Sequence, residues 1–242
     1  MAINLKKGFS EQLNMNVFHV GLGWDVNDGA SPFDFDLDVS AFMLGYNKKT
    51  ITEDYLVFYN SDNRLKVDAC EITPKANERR WVGTKELIKP LAILKSMHWG
   101  IDNDAMRNES RPVDPEMSVI GSLDDEDGET SLDGDDEVMD IDLSKVRPEV
   151  QEIIITVSIH EAEQRKQNFG QVERAYVRLY KPGRDKEGQE EYRYDLTEDF
   201  SACHSIEFCR LYRNGSSWDI QALGIGHHGG LEELVEKYVY AV

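Results

Sequence analysis

The reading of the fold turns on "SPFDFDLDVSAF", residues 31–42, in which Asp34, Asp36 and Asp38 fall at every second position. Phe33, Phe35, Leu37 and Val39 stand between and beside them. Side chains alternate faces along a strand, so the stretch reads as a strand with an apolar face for a core and an acidic face turned away from it. Same-face neighbours sit about 7 Å apart along a strand. Like carboxylates at that spacing repel and raise one another's pKa values unless a cation offsets them.

The same strand-like texture extends outward along the chain. "MNVFHVGLGWDV" (15–26), "DYLVFYN" (54–60), "EIIITVSIHE" (152–161), "RAYVRLY" (174–180) and "SIEFCRLYR" (205–213) are rich in β-branched and aromatic residues. Gly, Asn, Asp or Pro bound them, as expected of strands separated by tight turns. Asn214-Gly215 separates two such runs and predicts a hairpin. Helix signals are few: a short turn over 161–168, and "GGLEELVEKYV" (229–239), whose Leu231, Leu234, Val235 and Tyr238 share one face. The expected fold is therefore mainly β, a β-sandwich with few short helices.

The 242 residues carry a formal charge of −19. That balance disfavours binding to a nucleic-acid backbone, which rewards clustered Lys and Arg. It suits cation binding or plain solubility. Residues 124–142, "DDEDGETSLDGDDEVMDID", hold eleven of the acids and no base. A charge run is ordinarily a solvated loop, but this one is punctuated by Gly128 and Gly134 and merges into the alternating pattern "VMDIDL". Two acidic strand edges joined to an acidic loop are the donor set of a hard cation, and calcium takes six to eight oxygens at about 2.3–2.6 Å. The loop is not an EF-hand. Starting from Asp34, the sixth and twelfth positions are Val39 and Gly45, and starting from Asp125 the sixth is Thr130.

Other motifs fail on context. "GIGHHG" (224–229) matches a dinucleotide-binding fingerprint, yet no second parallel strand follows to complete the unit. A tight turn before a helix N-terminus able to hold an anion is the better account. "HEAEQ" from His160 lacks the second histidine of a zinc protease. Cys70, Cys203 and Cys209 show no ligand or disulfide spacing and point to a reducing, cytoplasmic setting. No apolar run reaches the length of a membrane span, and "MAINLKKGFS" lacks the core of a signal peptide. Nothing supplies a base or nucleophile, so an enzyme is not expected.

Taken in order, "VGLGWDV" (20–26), "FDFDLDVSAFML" (33–44), "LVFYN" (56–60), "GDDEVMDIDL" (134–143), "ITVSIHEAEQRKQNFGQVERAYVRLY" (155–180), "YDLTEDFS" (194–201) and "LGIGHHGGL" (223–231) resemble the TerD family of tellurium-resistance and stress-response proteins. The resemblance covers one domain over 1–242, with residues 61–114 as an insertion within it. It implies a cytoplasmic β-sandwich that binds Ca2+ through clustered acids and is not an enzyme. It also implies partners among other tellurium-resistance proteins, membrane-linked ones included. Carried over by motif, the metal ligands would be Asp36 and Asp38, Asn60, Asp124, and Asp135, Asp136 and Glu137, with Asp25 and Asp34 as further candidates. In the "HEAEQRKQNFGQ" block, His160 and Glu161 are read as ending a strand, and Arg165 and Gln167 as capping or bridging neighbours. The competing readings are a metal-dependent enzyme acting on phosphate esters and an acidic scaffold that binds no ion.

Overall fold

The computed structural model describes residues 2–25, 32–66, 110–123, 134–186, 188–196 and 200–239. Its strands, in chain order, are β1 (Ile3–Asn4), β2 (Ser10–Gln12), β3 (Val17–Gly23), β4 (Leu37–Leu44), β5 (Leu56–Val57), β6 (Arg64–Lys66), β7 (Ser110–Pro112), β8 (Val119–Ile120), β9 (Glu137–Asp142), β10 (Glu152–Ile159), β11 (Tyr176–Tyr180), β12 (Tyr192–Asp195), β13 (Ser205–Asn214) and β14 (Ser217–His227). The helical elements among the described residues are a short α1 (Ala162–Arg165), α2 (Gly230–Tyr238) and two 3-10 turns, Glu53–Tyr55 and Phe169–Gln171. The first sheet runs β1-β12-β11-β3-β9-β8 and the second β2-β14-β13-β10-β4-β5, while β6 and β7 pair apart from both.

The sandwich follows from alternation. Phe18, Val20 and Leu22 of β3 face Leu37, Val39, Ala41 and Met43 of β4 and Ile153, Ile155 and Val157 of β10 across one buried core. The intervening residues of β4 point to the outer face of the second sheet. There Phe42 and Leu44 join Ile154, Leu56, Leu234 and Tyr238 in a second cluster under α2. The amphipathic face expected of 229–239 is thus the face that packs, and each buried aliphatic or aromatic side chain contributes roughly 1.5–3 kcal/mol.

The hairpin forms with Asn214 opposite Ser217, so Gly215 and Ser216 make the turn, and Gly215 takes φ +63°. Two expectations need correction. "FDFDLDVSAF" is not a strand throughout: pairing begins at Leu37, opposite Ile159, and residues 34–36 precede it. Burial nonetheless starts ahead of the pairing, since Phe35 already joins the core while Phe33 and Asp34 are exposed. "GIGHHG" is not a turn either, because residues 224–227 are the end of β14. Gly224, at φ +55°, sits at a bulge opposite β13 and passes beneath the Tyr194 hydroxyl, where a Cβ would come within 2.5 Å. At the N-terminus of α2 a carboxylate of the helix itself stands where an outside anion was expected. Glu233 folds back to accept from the Gly229 N–H at 2.8 Å, and its other oxygen lies 2.9 Å from His227 Nδ1. The His227 hydrogen bond, followed by that of Gly229, holds the Glu233 carboxyl below its usual range.

Residues 67–109 lie outside the described residues, but the two ends that flank them are zipped together. Leu65 pairs with Arg111, Lys66 with Ser110 and Arg64 with Pro112, and the Val113 N–H donates to Asn63 O at 3.0 Å.

Candidate metal centre

Two acidic segments meet where the sheets open. β5 spans two residues and pairs only with Ala41 and Phe42, so Val39 lies beyond its reach. Glu137, at the start of β9 in the opposite sheet, takes the Val39 N–H at 2.7 Å through Oε2. That hydrogen bond carries a carboxylate across the sandwich to the base of β4. There Asp38 and Glu137, each 3% exposed, line one small cleft of about 10 Å3 with Tyr59, Arg64, Pro112 and Ser122. This is about the volume one water needs.

Trp24 fixes both acidic leads. Its main-chain N–H donates to Asp136 Oδ2 at 2.9 Å, and its indole N–H donates to the Phe35 carbonyl at 3.0 Å. Gln167 adds a second clamp, since its amide donates to the carbonyls of Phe33 and Asp34, each at 3.0 Å. His160 N–H bonds Asp36 O at 2.8 Å, and Arg165 Nη1 stands 4.0 Å from Asp36 Oδ2. The block "HEAEQRKQNFGQ" therefore serves the strand-ending and bridging roles expected of it. It holds the 33–36 segment in place from the side of β10.

The nine expected ligands divide into groups. Asp36, Asp38, Asp136 and Glu137 are buried around this opening. Asp34 is exposed, and Asn60 is exposed in the turn after β5, next to the Tyr59 that lines the cleft. Asp25 turns to the surface and pairs with Arg174, while its N–H bonds Glu173 O at 3.0 Å. Asp124 lies outside the described residues. Asp135 points to the opposite side of the first sheet. There it receives two hydrogen bonds from Arg178, at 2.7 and 2.9 Å, with both side chains 3% exposed. Among the described residues, no three or more His, Cys, Asp or Glu side chains are gathered closely enough to hold a metal by themselves.

Asp135 belongs to a buried polar layer on the outer face of the first sheet. Its carboxylate lies directly over Gly21, where a Cβ would approach within 2.2 Å, and Gly23 is similarly covered by the Tyr176 ring. The two glycines of "VGLGWDV" thus make room for side chains crossing above them. Burial pulls the Arg178 guanidinium down, but the hydrogen bonds and charge of Asp135 outweigh it and leave it above its ordinary value. Burial, and then the Asp135 charge, raise Tyr176 and Tyr180. A second pair completes the layer. Asp140 lies 2.8 Å from His19 Nδ1 and accepts from Arg111 Nη1 at 3.0 Å, and Arg111 also donates to the carbonyls of Gly121 and Val138 at 2.6 and 2.9 Å. Sequence reading missed Trp24, Arg64, Arg111 and Arg178. The periodicity marks acids on a strand but gives no sign of which distant base or amide they will meet.

A two-sheet β-sandwich with carboxylates from both sheets converging at one opening defines the class of protein. The model of the TerD domain matches residues 1–89 and 110–238. The chain belongs to the TerD family. It is 34% identical to the tellurium resistance protein TerD of Alcaligenes sp, over 98% of this chain and 97% of that one. It is 30% identical to general stress protein 16U of Bacillus subtilis (strain 168), again over 98% and 97%. Proteins named TerX and TerZ of Serratia marcescens match as well, at 25% and 38% identity over 93% and 46% of this chain. Among solved structures, a homologue of telluride resistance protein (TerD) from Streptomyces coelicolor A3(2) superposes with a TM-score of 0.57. It covers 93% of this chain and 96% of its own at 15% identity, a likeness of fold. Among the described residues no helix is long and apolar enough to cross a membrane.

Proposed function

We propose that this TerD-family protein is a non-enzymatic, cytoplasmic calcium-binding module that acts by calcium-stabilised association with other tellurium-resistance proteins. One observation carries the reading: Asp38 and Glu137, from different sheets, are both buried in a single cleft the size of one water or ion. Burying two carboxylates is costly unless cations and hydrogen bonds offset the charge. The donor chemistry suits calcium, since every oxygen involved is hard. One step along the same face of β4, the fully buried Ser40 hydroxyl has no hydrogen-bond partner among the described residues, and nor does Thr156 opposite it on β10. Buried oxygens of that kind are what a bound ion with its water would satisfy.

In this reading Asp38 and Glu137 hold the ion, with Asp36 and Asp136 beside it, and main-chain carbonyls and water complete the shell. Asp124 lies outside the described residues and adds no support. The ion would neutralise the carboxylates and tie the entry of β4 to the entry of β9, setting the shape of that end of the sandwich for a partner. A ligand that binds only the native state stabilises it by about 2.7 kcal/mol at a hundred times its Kd. Thermal melts in millimolar calcium should therefore rise above those in chelator and above those in equal magnesium. The Asp38→Asn/Glu137→Gln double variant should lose the difference. Superimposable wild-type melts in calcium and chelator would overturn the proposal.

A further inference from the structure

Arg64 is the one cation among the described residues that line the cleft, and it is only 1% exposed. Among the described residues, its guanidinium donates to the chain around the β6–β7 pair. Nε donates to Ser110 Oγ at 2.7 Å, Nη2 to Ser110 O at 3.0 Å, and Nη1 to Tyr59 O at 2.6 Å. The same side chain thus lines the acidic cleft and fastens β6, which leads into 67–109, to β7, which returns from it. Pro112, opposite Arg64 in that pair, lines the cleft as well. A planar guanidinium can serve both surroundings at once, since it presents donors in several directions from one buried charge.

We infer that Arg64 is the built-in counter-cation of this cleft, and that it couples ion binding to the β6–β7 pair. The inference rests on the calcium reading above. A divalent ion beside Asp38 and Glu137 faces a like charge a few Å away, and in a site of low dielectric that repulsion weakens binding substantially. The guanidinium must yield as the ion enters. Yielding strains the bonds that hold Ser110 and Tyr59, so the pair loosens. Conversely, without the ion Arg64 offsets part of the carboxylate charge and keeps the pair closed. The cleft is thereby tuned to a weaker affinity than its carboxylates alone would give, and its state is reported to the two strands that flank 67–109.

Calcium calorimetry on the full chain, wild type against Arg64→Gln and Arg64→Lys, tests this together with hydrogen exchange at the amides of 64–66 and 110–111. Arg64→Gln should bind calcium about tenfold more tightly, the scale set by removing one like charge near the ion. Arg64→Lys keeps the charge and should stay within about twofold of wild type, while its amides in the pair exchange faster even without calcium. In wild type, calcium should speed exchange at those amides several-fold. Equal affinities for wild type and Arg64→Gln would overturn the inference and leave the calcium reading standing. Binding by Arg64→Gln alone would support it, with Arg64 in the place of the ion. No binding by either protein would remove both ideas. Should Arg64→Gln fail to fold, wild-type exchange decides, and amides unchanged or slowed by calcium refute the coupling.

Discussion

Asp135→Asn separates the ligand that motif matching assigns from the ion pair that the structure builds. Asp135 and Arg178 are each 3% exposed, joined by hydrogen bonds of 2.7 and 2.9 Å. The guanidinium also lies over the Tyr180 ring, 4.8 Å from its centroid, and its Nη1 is 3.9 Å from Glu190. Asn keeps one acceptor oxygen but places an amide against a buried cation. Removing one partner of a buried pair costs about 3–5 kcal/mol, and the remaining acceptor and nearby Glu190 pull the expected loss to about 3 kcal/mol. For a chain of this size that lowers Tm by about 6–12 °C. The assay is calorimetric melting of wild type and variant, each in chelator and in millimolar calcium. The loss should be the same in both media, leaving the calcium-induced rise intact. A second variant, Arg178→Met, should destabilise comparably, and the double variant should lose far less than the sum of the singles. If Asp135→Asn instead melts like wild type in chelator and loses the calcium rise, Asp135 is a ligand and the ion-pair argument is wrong.

Two further outcomes follow from single residues. Asp114 is fully buried and accepts from the N–H groups of Glu116, Ser118 and Val119 and from the Ser118 hydroxyl, yet burial outweighs these bonds and pushes its carboxyl up to about 6. The folded state then holds the proton more tightly than the unfolded chain does, so stability from this group falls as pH rises between about 4 and 6, by up to about 3 kcal/mol. Urea midpoints across that range should show a less negative slope for Asp114→Asn than for wild type, and identical slopes would dismiss the effect. Trp24→Phe removes the indole donor to Phe35 O, which should cost about 1–2 kcal/mol. Because Trp24 also sits between the leads of both acidic strands, its loss should weaken calcium binding several-fold by calorimetry; unchanged affinity would mean those leads need no clamp.

Much of the architecture is written locally. Alternating apolar residues in "NVFHVGLG", "LDVSAFML" and "EIIITVSI" specify strands with one buried face, because a strand's period of two leaves few other ways to bury Val20, Val39 and Ile155 together. The C-terminal helix and its packing face were legible from the helical spacing of Leu231, Leu234, Val235 and Tyr238. Less legible were the short pairings. β5 is only two residues long, although "DYLVFYN" has the composition of a longer strand, and the acidic lead of "FDFDLDVSAF" stays outside the sheet until Leu37.

The division is sharpest among the acids. By itself the sequence marked the strand that carries Asp38 and a second acidic strand at "VMDIDL" (138–143), while its expectation that Asp34, Asp36 and Asp38 share one strand face held only from Leu37 on. Only the tertiary structure decided where neighbouring acids went. Asp135, Asp136 and Glu137 are consecutive, yet they meet Arg178, Trp24 and the Val39 N–H respectively. Residues 134–136 bend ahead of β9, which begins at Glu137, so strand alternation does not set where these three side chains point, and adjacent acids of one motif enter different environments. What each of them meets comes from residues 43 to 112 positions away in sequence, brought there by sheet pairing and sandwich closure. Within a paired strand the local pattern fixes which side an acid takes, but where the chain bends before the strand, and whether the acid finds a base, an amide or room for an ion, is decided by the fold.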